Sequence, residues 1–263
     1  MDEKGLNRSV IFVLIHKYSF VDLKNTVKYF LQSFFGYKRY LYLFSIFKIR
    51  TLHWDKNERD FFYFLNQITD SDGVILDIGA NIGIMTCHLS KKYPKREIIS
   101  FEPESVNFEV LSNICRKFQL DNVTLIQKAL GETPGKAKMI LPIQGKTKMQ
   151  GLAHIKHDSI ELWNEGEEYE VEIETLDSLF KNQKIAAIKM DVENFEFFVL
   201  KGGKEIIQRD RPVIYVELWD NENRVKCFEF IRSLGYQVYV LENKILTLFD
   251  STKHKQHNFT FVP

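Results

Sequence analysis

Residues 74–83 read Val-Ile-Leu-Asp-Ile-Gly-Ala-Asn-Ile-Gly, and the order of residue types in this stretch decides the fold. Val74, Ile75 and Leu76 form a short apolar run of the kind that makes a buried strand. Asp77 ends the run. Gly79 and Gly83 follow, with small Ala80 and polar Asn81 between them, and Ile82 opens a segment with helical spacing. A buried strand that passes through side-chain-poor backbone into a helix is a nucleotide-binding shape. Glycine permits positive φ and close approach of a ligand, and the helix start offers free N–H groups. The spacing departs from the dinucleotide fingerprint Gly-x-Gly-x-x-Gly, whose close-set glycines seat a pyrophosphate on the helix N-terminus. Here the glycines are four apart and an acid stands two residues before the first. A carboxylate in that position repels phosphate and favours a cationic ligand.

Asp-x-Gly-x-Asn-x-Gly resembles the S-adenosylmethionine loop of Rossmann-like methyltransferases, whose ligand carries an amino acid and a sulfonium. On that reading Asp77, Gly79, Ala80, Asn81 and Gly83 are donor-binding candidates. Glu97 to Pro103 reads as a second buried strand ending in Glu102, at about the spacing where an acid reaches ribose hydroxyls in a βαβ unit. Pro103 stops the strand. Gln127, Lys128 and Ala129 end a third strand at the same edge, and Lys128 and Ala129 join the donor-binding set.

Further motifs follow in order: Phe-Glu-Pro at 101–103, Ala-Leu-Gly-Glu at 129–132, Thr-Leu-Asp-Ser-Leu at 175–179, Ile-Lys-Met-Asp-Val-Glu at 188–193 and Val-Leu-Lys-Gly at 199–202. With Leu-Asp-Ile-Gly-Ala-Asn-Ile-Gly at 76–83, this set resembles the FkbM family of S-adenosylmethionine-dependent methyltransferases across residues 58 to 245. The first motif is shared by many methyltransferases, and the ordered set is far more specific. The resemblance implies a class I methyltransferase fold, S-adenosylmethionine as donor, and hydroxyl acceptors on sugars, glycans or polyketide-like small molecules. One departure stands at the cleft edge. The family has Gly-Ala after Asp-Val-Glu, and this chain has Asn194-Phe195. That bulkier turn raises a rival, a non-catalytic S-adenosylmethionine-binding scaffold in a glycan assembly complex. A second rival, an NAD-linked oxidoreductase, lacks its glycine fingerprint.

Beyond the first motif, strand-like and helix-like segments alternate, the pattern of a parallel sheet. Strands are expected at 123–129, 185–192 and 212–219, and helices at 81–92, 104–118, 195–207 and 222–233. Residues 237–241 and 244–249 read as a closing hairpin. The expected fold is α/β, a Rossmann-like class I methyltransferase sheet of seven strands with the last antiparallel, over residues 58–250. A helical, basic and aromatic extension precedes it at 1–57, and a polar tail follows at 251–263. Residues 136–141 and 168–175 read as an inserted hairpin. The polar loop between them holds His154, His157 and Trp163, and long loops inside compact domains tend to be functional.

Three cysteines, Cys87, Cys115 and Cys227, form no Cys-x-x-Cys pair. Reduced thiols fit them better than a metal site or a disulfide framework. The net charge of +1 conceals an asymmetry, because residues 1–50 carry nine Lys or Arg and only three acids. Asp22 is positioned to cap a helix that Gly36 would stop. A second helical stretch carries Tyr40, Leu43, Phe44 and Phe47, bracketed by Lys38, Arg39, Lys48 and Arg50. Two readings compete for residues 20–50: a cap packed on the catalytic domain with snorkelling basic side chains, or a peripheral anchor on anionic membrane. The basic residues are spread along the chain, which argues against nucleic acid. The acidic start and the short apolar run at 10–15 do not make a signal peptide, and no apolar run reaches the roughly 20 residues of a spanning helix. A cytoplasmic location is expected, with the inner face of the membrane as the peripheral site.

Methyl transfer from a sulfonium is an in-line displacement, so the protein mainly aligns the acceptor and removes its proton. Four groups are candidate bases. Asp191 ends the fourth strand and could instead orient the donor's amino group. Lys189 shares its strand face and serves as a base only if burial lowers its pKa; otherwise it pairs with Asp191. Glu193 is either base or helix cap. His154 has an ordinary pKa near neutrality and is either base or a solvated loop side chain. The reaction needs no metal; in a magnesium-assisted variant, Asp191, Glu217, Asp220 and Asn221 are the oxygen ligands.

Overall fold

Val74–Ile78 and Ile185–Met190 are buried at every residue, as parallel strands covered on both faces must be, and they pair with each other. This computed structural model describes residues 26–68, 72–157, 160 and 163–263. Its strands are β1 (Val74–Ile78), β2 (Ile98–Phe101), β3 (Val123–Ile126), β4 (Ala129–Leu130), β5 (Gly135–Gln144), β6 (Thr147–Lys148), β7 (His154–Ile155), β8 (Gly166–Glu174), β9 (Ile185–Met190), β10 (Val213–Glu217), β11 (Gln237–Glu242), β12 (Ile245–Leu248) and β13 (Asn258–Val262). Its helices are α1 (within 26–35), α2 (Tyr37–Thr51), α3 (Arg59–Leu65), α4 (Ile84–Lys92), α5 (Ser105–Phe118), α6 (Leu176–Leu179), α7 (Glu196–Lys201), α8 (Lys204–Asp210) and α9 (Glu222–Ser233).

The principal sheet has the order β12-β11-β13-β10-β9-β1-β2-β3. From β3 to β10 neighbouring strands are parallel. The strand order reverses between β1 and β9, and the crevice at their carboxyl ends is where an open α/β sheet takes its ligand. β13 runs antiparallel between β10 and β11, and β12 folds back on the outer edge. The expected seven strands are therefore eight. The segment read as a polar tail supplies one of them, with Phe259, Thr260 and Phe261 buried. Its period-two pattern is only five residues long and follows a polar run, so the apolar signal was short.

The inserted hairpin is present as β5 and β8, paired from Gly135↔Ile173 to Pro142↔Gly166. β4 joins β8 in parallel, so the chain leaves the principal sheet after Ile126 and enters the second sheet at Ala129. That transition carries Lys128 and Ala129 across the crevice. The helix expected at 195–207 is two helices, α7 and α8, parted at Gly202-Gly203. A Cβ on Gly202 would lie 1.9 Å from the Gly131 carbonyl oxygen.

α2 packs against the catalytic domain as a cap. Leu41 and Ile49 of α2 join Ile82, Cys87, Val110 and Ile114 in one apolar cluster. The Ser45 hydroxyl donates to the Ile82 carbonyl at 2.8 Å, tying α2 to the turn after β1. The expected cap Asp22 and the apolar run 10–15 lie outside the described residues. Cys87, Cys115 and Cys227 are free thiols. Among the described residues no helix is long and apolar enough to cross a membrane.

Candidate active site

The turn after β1 holds Gly79 at φ 73°, Asn81 at 50° and Gly83 at 81°. A Cβ on Gly79 would lie 1.8 Å from the Asp191 carbonyl oxygen, so glycine is required there by the neighbouring chain as much as by a ligand. Gly83 is the left-handed N-cap of α4. A Cβ on it would lie 2.8 Å from Leu111 Cδ1. It packs α4 on α5 and lines no part of the crevice, which corrects the expectation that it touches the donor.

Two cavities meet above β1 and β9. The first holds about 580 Å³ of space, partly open to solvent, and is walled by Gly79, Asn81, Glu102, Pro103, Lys128 and Ala129, with His154, Gln150 and Phe195 opposite. The second holds about 680 Å³ and is walled by Ala80, Ile82, Lys189 and Asp191, with Phe44, Lys48, Leu52 and Glu58 from the N-terminal region. Gly79, Asn81, Gln150, Gly151 and Asp191 border both, so the two spaces share a seam. Glu58 carried no motif, and its position was invisible until α2 and α3 were placed.

The first cavity is rich in acceptors that lack donors. Asn81 Oδ1, Asn107 Oδ1 and Gln150 Oε1 are buried without hydrogen-bond partners, and all three residues line it. A buried acceptor left unmade costs about 1–3 kcal/mol. Adenosine and the amino acid of S-adenosylmethionine carry hydroxyl and amine donors that would satisfy them, so the lining fits that molecule. Glu102 accepts from the Asn81 N–H at 2.8 Å and the Glu104 N–H at 2.9 Å, which fixes its carboxyl at the cavity wall. Lys128 pairs with Glu172 and Glu174, each at 3.1 Å.

His154 is buried on β7 rather than solvated in a loop. Its Nδ1 faces the Leu152 carbonyl at 2.8 Å and its Nε2 faces Asn164 Oδ1 at 3.2 Å. Both ring nitrogens are engaged, so the base role expected for it is not supported.

Lys189 is almost fully buried. Its Nζ donates to the Gly79 carbonyl at 3.0 Å and lies 3.3 Å from Asp77 Oδ1 and 4.0 Å from Asp191 Oδ2. Burial pulls its pKa down, but Asp77, Asp191 and Glu217 together outweigh that and hold it above the ordinary lysine value. Lys189 therefore stays an ammonium and is not the base. Asp77 has no exposed surface, accepts from the Thr86 hydroxyl at 2.6 Å and lines neither cavity. Its place is behind the turn as the counter-ion of Lys189, not against the donor. Lys189→Met is expected to destabilise the chain by about 3–5 kcal/mol, because it strands a buried carboxylate. Asp77→Leu in the same chain should restore much of that loss. Urea unfolding of the single and double variants checks both statements.

Glu193 does not cap a helix. It stands at φ 52° before Asn194 at 72°, and it is the Glu196 carboxyl that turns back to accept from the Val192 N–H at 3.1 Å. Burial, with Asp191, Glu217 and Glu196 adding to it, pushes the Glu193 carboxyl up to about 10, so it is held neutral. The Asn194-Phe195 departure has a physical account. Asn tolerates left-handed backbone better than most residues, and Asn221 Nδ2 holds Asn194 Oδ1 at 2.6 Å. Phe195 is buried, stacked on Phe198 with ring centroids 4.6 Å apart. It therefore forms packed wall at the edge of the first cavity.

Burial pushes Glu102, Glu196 and Glu217 each up to about 7. Between the unfolded carboxyl pKa and that value, the folded chain holds protons that the unfolded chain has released, so stability falls as pH rises. His88 works the other way. Burial lowers it to about 4, so the unfolded chain binds the extra proton there. Glu193 and Asp60, which burial raises to about 6, add to the same side, so with five carboxyls against one imidazole the thermal midpoint should decline between about pH 5 and about pH 7.5. A flat or rising midpoint in differential scanning calorimetry would contradict these environments.

A reversed parallel sheet, a donor-poor cavity at its crest and a second cavity at the same seam define a class I methyltransferase. The chain belongs to the FkbM family, because residues 77–241 match the methyltransferase FkbM domain, well over half of its length. It is a S-adenosylmethionine-dependent methyltransferase. It is 26% identical to methyltransferase sdnD of Sordaria araneosa, covering 57% of this chain and 68% of that one. It is 28% identical to methyltransferase 1 of Beauveria bassiana (strain ARSEF 2860), covering 64% and 74%. The crystal structure of methyltransferase FkbM from Methylobacillus flagellatus KT superposes with a TM-score of 0.50 at 15% identity. That match covers 73% of this chain and only 44% of the other, and it speaks for the fold.

The magnesium variant finds little support in the side chains. Asp220 pairs with Arg224 at 3.0 Å, and Asn221 caps α9. Among the described residues no three His, Cys, Asp or Glu side chains are grouped as a metal site would need.

Proposed function

We propose that the chain is an O-methyltransferase, moving the methyl group of S-adenosylmethionine to a hydroxyl of a sugar, a glycan or a polyketide-like small molecule. The observation that carries this reading is the seam. One cavity is lined by unmatched acceptors, the other by carboxyls and an aromatic ring, and they meet at Asp191. The donor supplies an electrophilic methyl on a sulfonium. In the first cavity, Glu102 would accept from ribose hydroxyls, while Asn81, Asn107 and Gln150 would accept from the remaining amine and hydroxyl donors. In the second, Phe44 offers an apolar wall of the kind that packs on a sugar or polyketide ring, and Asp191 and Glu58 face the acceptor. Burial raises the Glu58 carboxyl, with Lys48 opposing, and no hydrogen bond to that carboxyl is found among the described residues. Removing the acceptor proton as the new bond forms contributes roughly 10²–10⁴-fold.

The test is purified protein with S-adenosylmethionine and a panel of methyl glycosides, polyketide alcohols, amines and carbon acids, read by mass spectrometry for one added methyl. Transfer to oxygen in the hydroxyl panel is expected. Transfer confined to nitrogen or carbon acceptors would overturn the reading.

A further inference from the structure

α2 has two working sides. On one, Phe44 and Lys48 wall the second cavity. On the other, Arg39, Leu43, Phe47 and Arg50 recur every three or four residues and so share a face, and all four are exposed. Leu43 is 47% exposed and Phe47 60%. Phe30 and Phe34 in α1, at 65% and 83%, and Trp54 just beyond α2, at 71%, add to the open apolar surface. A run of large exposed apolar side chains of this kind marks an interaction surface. Cations outnumber acids beside it, the nearby acids Glu109 and Asp55 being paired with Lys38 and Lys48. Arg39 and Arg50 form no ion pair among the described residues. An open recess of about 780 Å³ between α2 and α5 is lined by Lys38, Arg39, Arg116 and Lys117 with Tyr42 and Asn113. Among the described residues, Lys38 is the one cation of that recess that meets an acid, Glu109.

Apolar side chains flanked by cations fit the boundary between acyl chains and anionic headgroups. A nucleic acid would leave Leu43 and Phe47 without apolar partners. A twofold antiparallel pairing of α2 with a second copy would set Arg39 against Arg50 of the other copy, like charge on like. We propose that α2 is an interfacial helix, seating Leu43 and Phe47 in an anionic bilayer while Arg39, Arg50 and the recess hold lipid phosphates. The helix that walls the acceptor cavity then rests on the membrane. This inference stands on surface chemistry and does not depend on the O-methyltransferase reading.

The experiment is sedimentation of the full chain with vesicles of phosphatidylcholine, with and without phosphatidylserine, at low and high salt. Binding only to the anionic vesicles, weakened by salt, is expected. Arg39→Gln with Arg50→Gln should weaken partitioning about thirtyfold, equivalent to about 1 kcal/mol for each arginine. Leu43→Ser with Phe47→Ser should remove binding at any salt. Calorimetric titration with S-adenosylmethionine accompanies each variant, and retained donor binding shows that the fold is intact. No binding of the wild-type chain to anionic vesicles at low salt overturns the proposal. So does a solution dimer that Phe47→Ser dissociates, or binding to duplex oligonucleotide that outlasts Phe47→Ser. Failure of the wild-type chain to bind S-adenosylmethionine would instead strike the donor assignment and leave the vesicle result to stand or fall alone.

Discussion

Glu102→Ala will weaken S-adenosylmethionine binding by about 10²–10⁴-fold, the loss of two hydrogen bonds from ribose hydroxyls to a charged acceptor at about 1.5–3 kcal/mol each. The carboxyl is already held by the Asn81 and Glu104 N–H groups, so it meets the ligand without reorganising. The same two bonds make the variant less stable, since two backbone donors lose their acceptor. Glu102→Gln keeps one carbonyl oxygen and should fall between the two. The dependence on pH separates a ribose contact from a merely structural one. Burial puts this carboxyl at about 7, and the ionised form is the better acceptor. Wild-type affinity should therefore rise as pH increases through about 7, and that rise should vanish in Glu102→Gln. Isothermal titration at several pH values measures both. Unchanged affinity in Glu102→Ala would remove the ribose assignment.

Much of the crevice was readable from residue order. β1, β2, β9 and β10 are short, mostly apolar runs, each with one polar residue at or near its end, and a strand buried on both faces leaves that mark whatever surrounds it. Their terminal residues then followed from the topology, which is why Glu102 and Asp191 were found at the cavity walls. What residue order does not reveal is set by packing between distant segments. Asp77 and Gly83 belong to the motif, but only packing reveals that one serves Lys189 and the other α5. The base role considered for Lys189 failed because its pKa is set by three carboxyls brought from separate strands. His154 carries no strand signal in the sequence, because β7 is two residues long and its partners, Leu152 and Asn164, carry no pattern. Glu58 lay outside every motif, and it reaches the second cavity through the path of the chain between α2 and α3. β13 was missed because five residues of alternation cannot outweigh the polar run before them.

Asp191→Asn will lower kcat by about 10²–10⁴-fold, the usual worth of a general base, with little change in donor affinity. The argument rests on position. Asp191 borders both cavities, whereas Glu58 borders only the second, so of these two carboxyls Asp191 is the one at the seam, where the proposed reaction would bring the acceptor oxygen to the methyl. Its charge is not needed to hold Lys189 in place, because Nζ keeps the Gly79 carbonyl at 3.0 Å and Asp77 at 3.3 Å. The amide is close in size to the carboxylate, so the seam should keep its shape. Glu58→Gln is the control on the opposite wall. It should raise KM for the acceptor while lowering kcat far less, because its carboxyl would bind the acceptor away from the reacting oxygen. Single-turnover transfer, measured alongside calorimetric donor binding, separates the cases. If Glu58→Gln shows the larger loss of kcat and Asp191→Asn mainly a loss of donor affinity, the roles are exchanged. The base then comes from the N-terminal cap, and Asp191 orients the donor's amino group.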